Sequence, residues 1–157
     1  MRKSKELLKD EIWELIQKTE FAHISYVDGE GNPQIKMLFC NFHKGMSKFY
    51  FSTNTSSLHV QHLCRRSKAC VYISDSVNFK GLMLSGEMIV HHDHDTKQLL
   101  WHDTDIQYYP KGVDDEDYTV LEFVVQHGRY YNGKSYDLGK DVFYDARFGE
   151  EIIENIL

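Results

Sequence analysis

Proline is nearly missing from this chain, with two in 157 residues, and cysteine is limited to three. Cys40, Cys64 and Cys70 make an odd count with no CxxC spacing, so neither a disulfide framework nor a zinc site is implied, and all three read as packing residues. Positive charge is also lacking: the net charge is −6 and the pI near 5.8, which disfavours a nucleic-acid partner. No apolar run reaches the length of a membrane span, and the basic start MRKSKELLKDEIWELI has no apolar core of signal-peptide length, so no membrane association is expected and the cytoplasm is the expected setting. Repeats, low-complexity segments and a linker are absent as well. What remains is 41% hydrophobic and 27% charged, an ordinary soluble composition. At this length one domain, residues 1–157, buries roughly 70% of the surface that its unfolded chain exposes. Abundant Tyr and Phe beside scarce Pro lean toward β-structure.

The pattern along the chain agrees. ELLKDEIWELIQKT (6–19) spaces Leu8, Ile12, Leu15 and Ile16 helically, predicting an N-terminal helix within residues 1–20. FAHISYV (21–27), the turn DGEGNP, QIKMLFCNF (34–42), the turn HKGMSK and KFYFST (48–53) predict a three-strand meander. A short helix is expected in 56–67, with Leu58 and Leu63 on its buried face. Strands follow at 69–75, at 79–92 with a kink or bulge at Gly81 and Gly86, and at 118–133. Asp93 or Asp95 is placed to cap a helix through Trp101. Six strands with peripheral helices predict a mainly β fold, a small antiparallel barrel over residues 21–133, with 134–157 as an amphipathic tail.

STNTSSLHVQHL (52–63) is the most suggestive stretch. A strand delivers the chain into a run of hydroxyls and an amide, and a helix start follows, which is the chemistry of an anion site. The same residue types build a plain strand-to-helix turn with an N-cap at Ser56 or Ser57, and composition alone favours that simpler reading.

Order and spacing change the weighting. FAHISYVDGEGNPQIKML (21–38), FYFSTNTSSLHVQHL (49–63), KACVYI (68–73), GLMLSGEMIV (81–90) and YYPKGVDDEDYTVLEF (108–123) together resemble the pyridoxamine 5′-phosphate oxidase-like family of FMN-binding split barrels, most closely its small general-stress-protein-like members. The resemblance implies a six-stranded split barrel with flavin mononucleotide, FMN, at the interface of a homodimer. On it, Lys36 is the basic residue toward the phosphate, and Met37 and Leu38 offer backbone contacts to the ring. The family's pair after the third strand falls on Ser52 and Thr53, followed by Asn54, and its serine–arginine–lysine phosphate triplet falls on Ser57, Leu58 and His59. Leucine cannot donate and histidine is mostly neutral at pH 7, so the bidentate guanidinium contact is missing. Lys36, the hydroxyls, backbone N–H groups and Arg65 or Arg66 would have to compensate. The family's ring-edge glutamine falls near Lys80 or Gly81, and Trp101 and Tyr109 lie where a segment can pack on the ring or instead close the barrel rim.

Other clusters read more plainly. HHDHD (91–95) alternates along an extended segment, which sends neighbours to opposite faces and disfavours a metal site. The acidic run at 114–117 reads as a solvated turn. No nucleophile–base arrangement stands out, so no catalytic residue is assigned. The resemblance therefore implies an FMN-dependent oxidoreductase or flavin reductase acting on a small organic substrate, with NAD(P)H as a candidate donor. The alternative is a non-catalytic flavin- or haem-binding sensor on the same barrel. Specific pyridoxamine phosphate oxidation is disfavoured, because Arg129, Lys134, Lys140 and Arg147 form no recognisable substrate arrangement.

Overall fold

The computed structural model describes residues 5–40, 42–133 and 144–148; the rest, including Lys134 and Lys140 of the expected tail and Asn41 of the expected second strand, lies outside the described residues. Helix α1 (Lys5–Gln17) buries Leu8, Ile12, Leu15 and Ile16 in the main core, as their spacing predicts. Burial of these four side chains is worth roughly 6–12 kcal/mol before the entropy of ordering them is subtracted.

Eight strands form one antiparallel sheet: β1 (Phe21–Val27), β2 (Pro33–Phe39), β3 (Phe42–Lys44), β4 (Lys48–Asn54), β5 (Lys68–Asp75), β6 (Lys80–His91), β7 (Tyr118–Asn132) and β8 (Tyr144–Phe148). Helices α2 (Leu58–Arg65) and α3 (His94–Leu100) are peripheral. The strand order is β2-β1-β5-β6-β7-β4-β3, with β8 also on β7. The two outermost strands on this path, β2 and β3, are consecutive in the chain. Three Cα steps separate Phe39 from Phe42, at most about 11 Å, so the sheet must curl until its edges nearly meet. That is the barrel that the strand pattern predicts, in the split form that the resemblance implies.

Three expectations change in detail. The described strands number eight rather than six. The expected meander is not one paired unit, because its second strand is divided into β2, which ends at Phe39, and β3, which starts at Phe42: β2 pairs with β1, β3 with β4, and β4 crosses to β7. The tail contributes β8, which pairs with the end of β7.

Most buried side chains lie inside the curl. A second, smaller cluster sits on the outer face of β4 and β7, where Tyr50, Tyr118 and Val120 pack under Leu100 of α3 and Tyr109. Asp93 caps α3, its carboxylate accepting from Thr96 N–H at 2.9 Å. In α2 the buried stripe is His59, Val60 and Leu63. Leu58, expected inside, sits one residue before that stripe and is 69% exposed; Cys64, expected to be buried, sits one residue after it and is exposed. Cys40 and Cys70 are half-buried, and burial pushes the Cys40 thiol up to about 11.

Gly86 marks a β-bulge. The register passes from Ser85–His127 to Gly86–Val125, leaving Gln126 as the extra residue of β7. The insertion resets the alternation, so that Val125 before it and Tyr130 after it are both buried. Gly81, by contrast, pairs regularly with Tyr131 and is no bulge. A Cβ on Gly86 would lie 2.0 Å from the Val124 carbonyl oxygen, which is backbone and cannot swing aside. Gly86→Ala is therefore expected to cost about 2–3 kcal/mol, read as a lowered urea midpoint with an unchanged slope.

Candidate functional site

Strand β4 ends where β7 begins, with Asn54 opposite Tyr118. That register brings Asp117 against the polar loop. Its carboxylate accepts from Asn54 Nδ2 at 2.7 Å and from Ser56 N–H at 2.8 Å, and its carbonyl accepts from Thr55 N–H at 2.7 Å. These bonds, from the Asn54 side chain first, hold the Asp117 carboxyl below the usual carboxylate range. Ser57 N–H donates to Asn54 O at 3.1 Å. The amides of residues 55–57 are thus used inside the loop, and the donors left for an anion are side chains and the first-turn amides of α2. The acidic run is accordingly not a simple solvated turn. Asp115 is buried as well: its carboxylate accepts from the Lys111 and Asp117 amides, and its carbonyl accepts from Lys97 Nζ at 2.9 Å.

Two of the predicted residues are in hydrogen-bond contact, and a third acts on one of them through its charge. Thr53 is buried, and its Oγ1 lies 2.9 Å from His59 Nε2. Lys36 pairs with Ile24, so its side chain leaves β2 on the face that Ile24 turns to the core. It lies near enough to His59 for its charge to be felt there: burial first and Lys36 second push the imidazole below its ordinary value. His59 is therefore neutral at pH 7. Ser57 begins the same turn as N-cap and makes no side-chain capping bond.

The other predicted residues are distributed around this point. Met37 and Lys36 are successive on β2 and project from opposite faces; Met37 is 53% exposed beside His23. Leu38 returns to the inner face and packs against the core. Ser52 is on the opposite face of β4 from Thr53. Asn54 is held by Asp117 and by Tyr109, whose hydroxyl donates to Asn54 Oδ1 at 3.2 Å. Trp101 packs edge-on against Tyr118 at 5.2 Å, within the aromatic cluster that also holds Tyr109. Arg65 and Arg66 stand at the far end of α2, about 12 Å along the helix from Ser57, and do not reinforce this point. At Gly81 the missing side chain is replaced by Tyr72, whose hydroxyl oxygen lies 2.1 Å from where a Cβ would be. The histidines of 91–94 are taken up separately: His91 Nε2 meets Glu122 at 2.6 Å and His94 Nδ1 meets Asp114 at 2.8 Å.

Two features went unforeseen in sequence. Asp117 as organiser of the loop has no local signal, because 63 residues separate it from Asn54. Tyr26 stacks on His62 at 5.9 Å and meets His59 at 6.3 Å, forming a wall of the site.

The group fits a phosphate ester. One cation, two hydroxyls and an imidazole surround the start of a helix, and the Thr55 hydroxyl oxygen in the same loop is buried with no hydrogen-bond partner. A model of the family described as "Pyridoxamine 5′-phosphate oxidase like" matches residues 8–145. A Clostridium acetobutylicum protein related to general stress protein 26, of the pyridoxinephosphate oxidase family, is 35% identical, with a TM-score of 0.80 over 95% of this chain and 99% of that one. The chain belongs to the pyridoxamine 5′-phosphate oxidase-like family. General stress protein 26 of Bacillus anthracis shares the fold at 17% identity, with a TM-score of 0.66 over 78% of this chain and 92% of that one. A haem binding protein from Mycobacterium smegmatis shares it at 16% identity, with a TM-score of 0.72 over 99% of this chain and 62% of that one. No curated protein matches the sequence.

Within this family fold the loop depends on one carboxylate. Asp117→Ala leaves the Ser56 amide and the Asn54 side chain without their acceptor and is expected to cost about 1–2 kcal/mol; Asp117→Asn keeps an oxygen there and should cost less. The contribution is present above the unfolded carboxylate pKa of about 4 and is lost as pH falls through the depressed folded value. Urea unfolding of both variants at pH 7 and pH 3 checks the order and the pH dependence.

Proposed function

We propose that this protein binds FMN at the interface of a homodimer and passes electrons between a reduced nicotinamide or similar donor and a small organic acceptor. The observation that carries this reading is the Thr53–His59 contact beside Ser57 at the start of α2, with the charge of Lys36 felt at the imidazole. Lys36 supplies the charge toward the flavin phosphate and Ser57 a free hydroxyl. The edge strand β2 offers the outward backbone groups of Met37 to the ring system, while those of Leu38 turn toward β1. When bound, the flavin supplies the hydride and single-electron chemistry; the protein holds it and excludes water.

His59 has a distinct part. The free protein keeps it neutral, and a phosphate dianion beside it favours the imidazolium, so binding takes up a proton. FMN affinity, followed by quenching of flavin fluorescence, should rise more steeply from pH 8 to pH 5.5 in the wild type than in His59→Ala. The phosphate's own titration is common to both proteins, so the difference belongs to His59. Purified protein that neither carries nor quenches FMN at any pH would sink the reading.

The dimer is supported by the outer face of β2. Ile35, Met37 and Phe39 are 68%, 53% and 58% exposed, and Phe21 packs on Phe39 with ring centroids 4.5 Å apart. A row of apolar side chains on an edge strand is self-complementary about a two-fold axis. Met37→Glu is expected to convert dimer to monomer in sedimentation velocity and to weaken FMN binding with it.

A second reading, a non-catalytic haem or flavin sensor, is favoured by half-buried His23, which lies between Met37 and Tyr72 on that same face. A Soret band on haem titration that His23→Ala abolishes, with no flavin response, would select it.

A further inference from the structure

Arg65 and Arg66, remote from the Ser57 end of α2, build a second feature. With His62 and the β1–β2 turn at Val27, Asp28 and Gly29 they line a cavity of about 280 Å³. Arg66 Nη1 donates to the Asp28 carbonyl at 3.4 Å, which anchors that guanidinium on the wall. The Asp28 carboxylate is the cavity's one acid, and it is turned to other work. It accepts from the Glu30 and Asn32 amides, each at 2.9 Å, and from Asn32 Nδ2 and Gln34 Nε2 at 3.3 and 3.1 Å. Those bonds, the Asn32 amide first, hold its carboxyl below the usual range and point it into the turn. Among the described residues neither Arg65 nor Arg66 has a carboxylate partner.

Two adjacent guanidiniums beside one spent carboxylate make a cationic cleft in a chain of net charge −6. Arginine at a helix C-terminus also complements the helix dipole, but that effect is about half a charge and leaves two planar forks facing solvent. Fork-shaped donors match phosphate oxygens in pairs. His62 adds a ring held flat against Tyr26 at an interplanar angle of 23°. Tyr26 also meets His59, so one ring touches both the candidate flavin phosphate site and the His62 edge of this cleft.

We propose that the cleft between the β1–β2 turn and the C-terminal end of α2 is a separate anion site that takes the diphosphate group of a nucleotide ligand. It stands on its own residues and holds whether or not FMN is the resident cofactor.

The test is calorimetric titration of the full-length protein with inorganic pyrophosphate in low-salt, phosphate-free buffer. The wild type should bind, Arg65→Ala/Arg66→Ala should bind at least tenfold more weakly, and Arg65→Lys/Arg66→Lys should fall between, because charge is kept and the fork is lost. FMN quenching should be the same in all three proteins. Should the double alanine variant fail to fold, Arg65→Ala alone serves, since its side chain has no hydrogen-bond partner among the described residues. Adenosine diphosphate binding more tightly than pyrophosphate assigns the site to a nucleotide, and equal binding assigns it to the diphosphate alone; either supports the site. Absence of pyrophosphate binding, equal affinity in Arg65→Ala/Arg66→Ala, or displacement of pyrophosphate by FMN would overturn it, the last while leaving the flavin reading intact.

Discussion

Two residues, 40 and 41, join strands that belong to opposite edges of one sheet, and the rest of the architecture follows from that short connection. A chain that must cross from β2 to β3 in so few steps cannot belong to an open sheet. It forces the curl, and the curl encloses Phe49, Phe51, Ile73, Leu84 and Phe123 with no exposed surface. The bulge at Gly86 serves the same curvature, letting the long strands β6 and β7 keep their apolar sides inward through the bend.

Curvature also decides what the polar loop can do. Because β4 crosses to β7, residues 54–56 meet Asp117, and the amides of residues 55–57 are already used. On the proposed reading, an anion arriving there meets side chains from three separate places: Lys36 on β2, Thr53 on β4 and His59 on α2. Recognition shared in that way would need no guanidinium at Leu58, and it would tie affinity to the protonation of His59, a dependence that an arginine would not impose.

Local physics was legible in the sequence, and long-range pairing was not. Helical spacing at Leu8, Ile12, Leu15 and Ile16 gave α1; Asp93 or Asp95 marked the start of α3 and Ser56 or Ser57 that of α2, the caps being Asp93 and Ser57; of Gly81 and Gly86, Gly86 is the bulge. Resemblance over about residues 21–131 led to the right family. What failed did so for want of a partner. The division of the expected second strand between Phe39 and Phe42 is only visible once β3 is seen on β4, and Asp117 looks like any surface acid until Asn54 lies opposite Tyr118. Leu58 missed its expected buried face, which His59 occupies, because one residue of helix rotation, about 100°, separates a buried stripe from its flank. Arg65 and Arg66 seemed candidates for the phosphate because the sequence counts residues, not the length of a helix.

Strand β7 also sets an order of events as the chain folds. The polar loop is synthesised by residue 57, yet the carboxylate that organises it comes at Asp117, and the strand that carries Asp117 must pair with β4 and β6 at once. Contacts across so many residues close late, after the local helices and the β1–β2 turn. The shape of the polar loop is thus among the last properties the chain acquires, and a nascent chain halted before Asp117 has the loop's residues without the carboxylate that organises them.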